Sequence, residues 1–121
     1  MKIVNPVAVL GEEAACEYLK KQGYRILERN FRKSYGEIDI IAQKEEVIVF
    51  IEVKTRTTSS FGSPFDAIAP QKLRQIIKGA KYYAYILHPD LPDNLRIDAI
   101  GVVVKDGNVV ALEHRENVSG Y

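Results

Sequence analysis

Two apolar runs separated by a short polar stretch dominate the pattern along the chain. Ile38, Ile40, Ile41 and Ala42 form the first run and Val47 to Ile51 the second, with Gln43-Lys44-Glu45-Glu46 between them as a turn in solvent. The second run is β-branched or aromatic throughout and has no polar face. That is the pattern of a central strand covered on both sides.

The flanking segments supply the covering layers. From about Val7 to Gln22, Gly11, Ala14, Ala15, Tyr18 and Leu19 fall on one face at helical spacing, and Gly23 is a stop signal. Tyr24 to Phe31 alternates imperfectly and reads as a first strand, turning at 33–36 into the Ile38 strand. After Pro70, Leu73, Ile76, Ile77, Ala80, Ala84 and Leu87 recur at helical spacing. Leu95 to Val104 is a further β-branched strand, and Asp106-Gly107 is a two-residue hairpin signal returning the chain along Val109 to Leu112. The order helix, three strands, helix, two strands predicts one α/β/α sandwich with a mixed central sheet over residues 1–121. Residues 1–6 and 114–121 are expected as flexible tails, and the hydroxyl-rich stretch 55–64 as a surface loop.

Composition narrows the setting without choosing a function. The chain has 121 residues, 46% of them apolar and 27% charged, enough for one core. A single cysteine, Cys16, excludes an internal disulfide, and no apolar run approaches the length of a bilayer span, so a cytoplasmic protein is expected. The net charge of +1 conceals an asymmetry. Cations gather in 20–33 and 54–81, whereas carboxylates gather between Glu37 and Glu52.

Those carboxylates sit where a buried sheet ends. Side chains two apart in a strand share a face, so Glu52, Lys54 and Arg56 continue the face of Ile48 and Phe50. If the two apolar runs pair antiparallel about the 43–46 turn, Asp39 comes opposite the Glu52–Lys54 segment. Two acids and one base converging at a strand end need pairing or a metal ion. On the first helix, Glu12 falls at the edge of the apolar face, while Glu13 and Glu17 point away.

Asp39 followed by Glu52-Val53-Lys54 resembles the D…E-x-K motif of the PD-(D/E)xK nucleases. The longer strings G-E-I-D-I-I-A, V-F-I-E-V-K-T-R and F-G-S-P look like the YraN family of uncharacterised bacterial proteins, which is grouped with Holliday-junction resolvases by fold. This resemblance spans Gly11 to about Val103 and implies a restriction-endonuclease-like fold. It also implies metal-dependent hydrolysis of phosphodiesters, possible substrates including branched DNA. In that reading Asp39 and Glu52 hold Mg²⁺ or Mn²⁺ with the Val53 carbonyl as a further ligand, and Lys54 orients the attacking water. Glu12 matches the additional first-helix acid of resolvase-like nucleases. Asp98 matches a family position without an evident role.

Basic segments beside a carboxylate site suit a polyanion, and Arg32, Lys33, Arg56 and Lys72 are the candidate contacts to nucleic acid, DNA in particular. No membrane partner is expected, and a homodimer is compatible with the assignment. The rival reading is a nucleic-acid-binding module of the same fold in which the carboxylates are structural.

Overall fold

The computed structural model describes residues 5–34, 36–57 and 68–119. Helix α1 spans Pro6–Lys21. Asn5 caps it, its Oδ1 accepting from the Val7 and Ala8 amides at 3.0 and 3.4 Å, and Pro6 occupies the first turn where its missing N–H costs nothing. The helix ends as Gly23 adopts φ +92°, which lets Tyr24 N–H donate back to the Leu19 carbonyl at 2.9 Å. The tail expected over 1–6 is therefore corrected at its end: Asn5 and Pro6 begin the helix, and residues 1–4 lie outside the described residues.

Five strands form one sheet in the order β1-β2-β3-β4-β5. They are β1 (Arg25–Lys33), β2 (Gly36–Lys44), β3 (Val47–Arg56), β4 (Asn94–Lys105) and β5 (Asn108–Arg115). β1, β2 and β3 form an antiparallel meander, β4 and β5 an antiparallel hairpin, and β3 pairs parallel with β4. The parallel pair requires a crossover, which α2 (Pro70–Lys81) provides, followed by a π-helical turn over Tyr82–Leu87. The Asp106-Gly107 turn places both residues at positive φ, 52° and 78°, as a two-residue hairpin demands.

Helices cover both faces of the sheet. Ala15 and Leu19 of α1 pack on Ile40, Val49, Ile51, Ile100 and Val102. Ile76 and Ala80 of α2, with Tyr83, pack on Phe31, Ile41, Ile48, Phe50 and Ile97. Val49 and Ile51 thus face one helix while Ile48 and Phe50 face the other. The fold is the predicted α/β/α sandwich with a mixed sheet, compatible with the restriction-endonuclease-like architecture.

The imperfect alternation of β1 has a structural cause. Its pairing with β2 shifts register between Ile26 and Glu28, and Asn30 turns to φ +54°. Two further boundaries differ from the sequence reading. Thr55 and Arg56 complete β3 rather than opening a loop, and residues 58–64 lie outside the described residues. The tail expected from residue 114 is corrected over its described part. His114 and Arg115 belong to β5, and Val118 N–H donates to the Ile97 carbonyl at 2.8 Å.

Close approach of α1 to β3 depends on Gly11. A Cβ there would stand 2.8 Å from Thr55 Cβ and Cγ2, in collision with that side chain. Gly11→Ala should therefore destabilise the protein by about 1–3 kcal/mol, read as a lower denaturation midpoint in urea, and Thr55→Gly should recover part of the loss.

Candidate functional site

The β2–β3 ladder ends before the strands do. Its last pair is Ile40 with Ile51, and continuing the register would set Ile38 opposite Val53. Instead Asp39 Oδ2 accepts the Val53 N–H at 2.8 Å, so a carboxylate replaces the ladder carbonyl. Ile38 joins the α2-side core while Ile40 joins the α1-side core, so β2 twists through Asp39.

The parted strands leave a cleft of about 300 Å³. Ala8 and Glu12 of α1, Glu37 and Asp39 of β2, Glu52, Val53 and Thr55 of β3 and Lys72 of α2 line it. Glu52 is only 8% exposed, and its Oε2 lies 3.8 Å from Lys72 Nζ. Glu12 stands 3.8 Å from Arg29, and Glu37 3.3 Å from Arg32. Among the described residues no three acidic, histidine or cysteine side chains converge tightly enough to cage a metal ion.

Electrostatics single out Asp39. Burial, together with the hydrogen bond and charge of Glu52, pushes its carboxyl up to about 8 against the opposing Val53 N–H. Near neutral pH Asp39 therefore keeps its proton, because a second negative charge beside Glu52 in this setting is unfavourable. A cation bound there would replace that proton.

Lys54 is half-buried on β3 two positions beyond Glu52 and is not among the residues lining the cleft. Lys72 is instead the cation that lines the cleft beside Glu52. Lys33 Nζ sits over the Phe31 and Tyr82 rings, 5.6 and 5.1 Å from their centroids, and Arg32 is exposed beside Glu37. Arg56 is half-buried at the end of β3. The helical-wheel reading of α1 holds in one respect: Glu12 reaches the cleft, and Glu13 and Glu17 are exposed.

A second polar cluster centres on β4. Asp98 on β4 is fully buried. Its Oδ1 and Oδ2 accept from Arg96 Nε and Nη2, both at 2.8 Å, and its Oδ2 also meets His114 Nε2 at 2.7 Å. The Asn117 amide donates to its Oδ1 at 3.0 Å, Arg96 Nη2 donates to Tyr24 Oη at 2.7 Å, and His114 Nδ1 meets Tyr18 Oη at 2.9 Å. The i, i+2 spacing of Arg96 and Asp98 in a strand is the one sequence signal for this cluster. His114 carries none, because its partner lies 16 residues away.

The family described as "Uncharacterised protein family UPF0102" matches residues 11–102. The chain belongs to this family. UPF0102 proteins of Syntrophomonas wolfei and Trichlorobacter lovleyi are 44% and 46% identical to it over 97 and 113 residues, covering 80% and 92% of this chain and 84% and 87% of theirs. One from Clostridium perfringens is 51% identical over 85 residues, 70% of each chain. Among solved structures, Pyrococcus furiosus SfsA in complex with Ca²⁺ aligns with a TM-score of 0.41 at 14% identity, over 87% of this chain, which spans 62% of that chain's length. The UPF0102 match includes Glu12, Asp39, Glu52, Lys54, Lys72 and Asp98 and stops short of β5 and His114. No helix among the described residues is long and apolar enough to cross a membrane.

Proposed function

We propose that the cleft between β2 and β3 binds one divalent cation, Mg²⁺ or Mn²⁺, and that the protein is a nuclease acting on DNA phosphodiesters. The observation that carries this reading is Asp39, half-buried beside the buried Glu52 at an open cleft with its carboxyl pushed up to about 8. The donor set suits the ion: Mg²⁺ takes one or two carboxylates and keeps its waters for substrate oxygens, so a three-acid cage is not required. When bound, the ion supplies Lewis-acid polarisation of the phosphate and activation of water.

The chain's own groups do the rest. Asp39 and Glu52 bind the cation as carboxylates, and Asp39 loses its proton in doing so. Lys72, 3.8 Å from Glu52, is placed to hold a phosphate oxygen at the cleft rim. Lys54, on the Glu52 face of β3, orients the attacking water and offsets charge developing on the phosphate. Glu12 borders the water side, and Arg32, Lys33 and Arg56 add to the positive surface that meets the DNA backbone.

The test is cleavage of labelled single-stranded, duplex and four-way-junction DNA with Mg²⁺ or Mn²⁺. Wild type should cleave at least one of them, and Lys54→Ala should lose at least about 10²-fold in rate. No cleavage of any substrate, alongside salt-sensitive binding, would favour the binding-module reading. Two further measurements bear on the same site. Calorimetry should show Mn²⁺ binding that weakens as the pH falls below about 8, because a proton then competes at Asp39. DNA affinity should fall with salt at a log–log slope of several units, and a slope near zero would remove nucleic acid as the partner.

A further inference from the structure

Asp39 leaves its ladder at a level where the neighbouring strand is distorted as well. Residues two apart in a regular strand share a face, yet Ile38 packs on the α2 side and Ile40 on the α1 side. β1 changes face in the same place. Phe31 packs on the α2 side, whereas Arg29, two positions earlier, reaches Glu12 and Glu13 of α1 at 3.8 and 2.9 Å. The register pairs Arg29 with Ile40 and Phe31 with Ile38. The residues at which the two strands turn, Asn30 and Asp39, therefore stand opposite each other.

One backbone angle accommodates the turn in β1. Asn30 has φ +54° within the strand, a left-handed conformation that asparagine and glycine adopt readily and β-branched residues do not. Its side chain is exposed, and among the described residues no hydrogen bond accounts for an asparagine there. It does not line the cleft. The turn has a second consequence. Arg29 and Arg32 would lie on opposite faces of a regular strand, yet both reach acids that line the cleft, Glu12 and Glu37.

Antiparallel pairing ties the two strands together on either side of the distortion, and residues paired across strands share a face. A regular β1 would keep Arg29 and Phe31 on one face and hold Ile40 and Ile38 there with them. Asp39 would then point to the opposite face of the sheet. We propose that Asn30 is a positioning residue for the cation site. By carrying β1 through the left-handed region it lets β2 rotate at Asp39, and that rotation sends the carboxyl sideways to the Val53 N–H and the gap beside Glu52. This rests on the reading of Asp39 and Glu52 as cation ligands and adds to them a residue of an edge strand.

The test measures Mn²⁺ binding by calorimetry, and hydrogen exchange at the Val53 amide in chelator, for wild type and three variants. Glycine takes the left-handed conformation freely, so Asn30→Gly should bind Mn²⁺ within about twofold of wild type and keep the Val53 amide protected. Asn30→Val should lose at least about tenfold in Mn²⁺ affinity, the usual scale for a change outside the ligands themselves. Its Val53 amide should exchange at least about tenfold faster while the amides of Val49 and Phe50, within the ladder, keep their protection. Asn30→Ala should fall between. A residue that only steadied β1 would lower the urea midpoint when replaced and leave Mn²⁺ affinity and Val53 protection of the folded protein unchanged. That outcome in Asn30→Val, or in Asn30→Ala where the valine variant does not fold, would overturn the proposal, as would loss of both properties in Asn30→Gly. Failure of the cation reading shows separately, as wild type that does not bind Mn²⁺, and exchange at Val53 then decides the positioning role by itself.

Discussion

Asp39→Asn is expected to abolish metal-dependent cleavage and, in chelator above pH 8, to make the protein more stable than wild type. Both effects follow from one geometry. The amide is the shape of the protonated carboxyl. Its oxygen can accept the Val53 N–H as Asp39 Oδ2 does now at 2.8 Å, and its NH₂ can donate to Glu52 as the protonated carboxyl does. A neutral amide binds a divalent cation poorly, so cleavage should fall by at least about 10²-fold and Mn²⁺ binding should weaken with it. DNA binding in chelator should be equal or tighter, since a negative charge facing phosphate has been removed.

The Asp39 carboxyl makes the stability depend on pH. In the fold it is raised from 3.8 to about 8, so between those values the folded state holds a proton that the unfolded state releases. Stability contributed by this group is full at low pH, declines as the pH rises from about 4 to about 8, and is flat above. The Asn variant lacks this decline. The difference in Tm between variant and wild type should therefore grow across that window and reach several degrees by pH 9. A constant difference would mean that Asp39 is not the group held protonated by the fold. Retained cleavage in a purified Asp39→Asn preparation would remove Asp39 from the site.

The second large effect is on stability alone. Asp98→Ala should cost about 3–5 kcal/mol, because it leaves the Arg96 guanidinium without its counter-charge and His114 Nε2 without its hydrogen-bond partner. A fall in Tm of more than about 10 °C is expected. Burial alone would push the Asp98 carboxyl up. The hydrogen bonds from His114, Arg96 and the Asn117 amide outweigh that and hold it below its ordinary value. Its contribution is therefore present above about pH 4 and is lost as the pH falls through the depressed value. Wild type should lose stability in that acid range, and Asp98→Ala should lose correspondingly less. Near-wild-type stability of the variant would show that the cluster is not holding β4, β5 and α1 together.

Most of the architecture was legible in the sequence because it follows from local periodicity. The unbroken run Val47–Ile51 marks a strand buried on both faces, and Ile48/Phe50 and Val49/Ile51 do face opposite helices. Asp106-Gly107 and Gly23 punctuate the chain where positive φ is required. The convergence of Asp39 on the Glu52 segment was also legible, since a short turn between two antiparallel strands leaves little freedom of register.

What the tertiary structure decided depends on distances between residues far apart in the chain. That Asp39 takes the Val53 N–H, opening a cleft rather than continuing the ladder, depends on the twist of β2 beside the Asn30 distortion in β1. That Lys72 is the cation lining the cleft beside Glu52 depends on where the crossover sets α2 down. His114 read as part of a tail because the tail's sequence is polar. It is instead held by Asp98 and Tyr18, the latter 96 residues away. A strand at the edge of a sheet with one side in water shows little hydrophobic periodicity, and a buried polar cluster shows none. Its members are joined by hydrogen bonds that exist only once three separate elements have packed together.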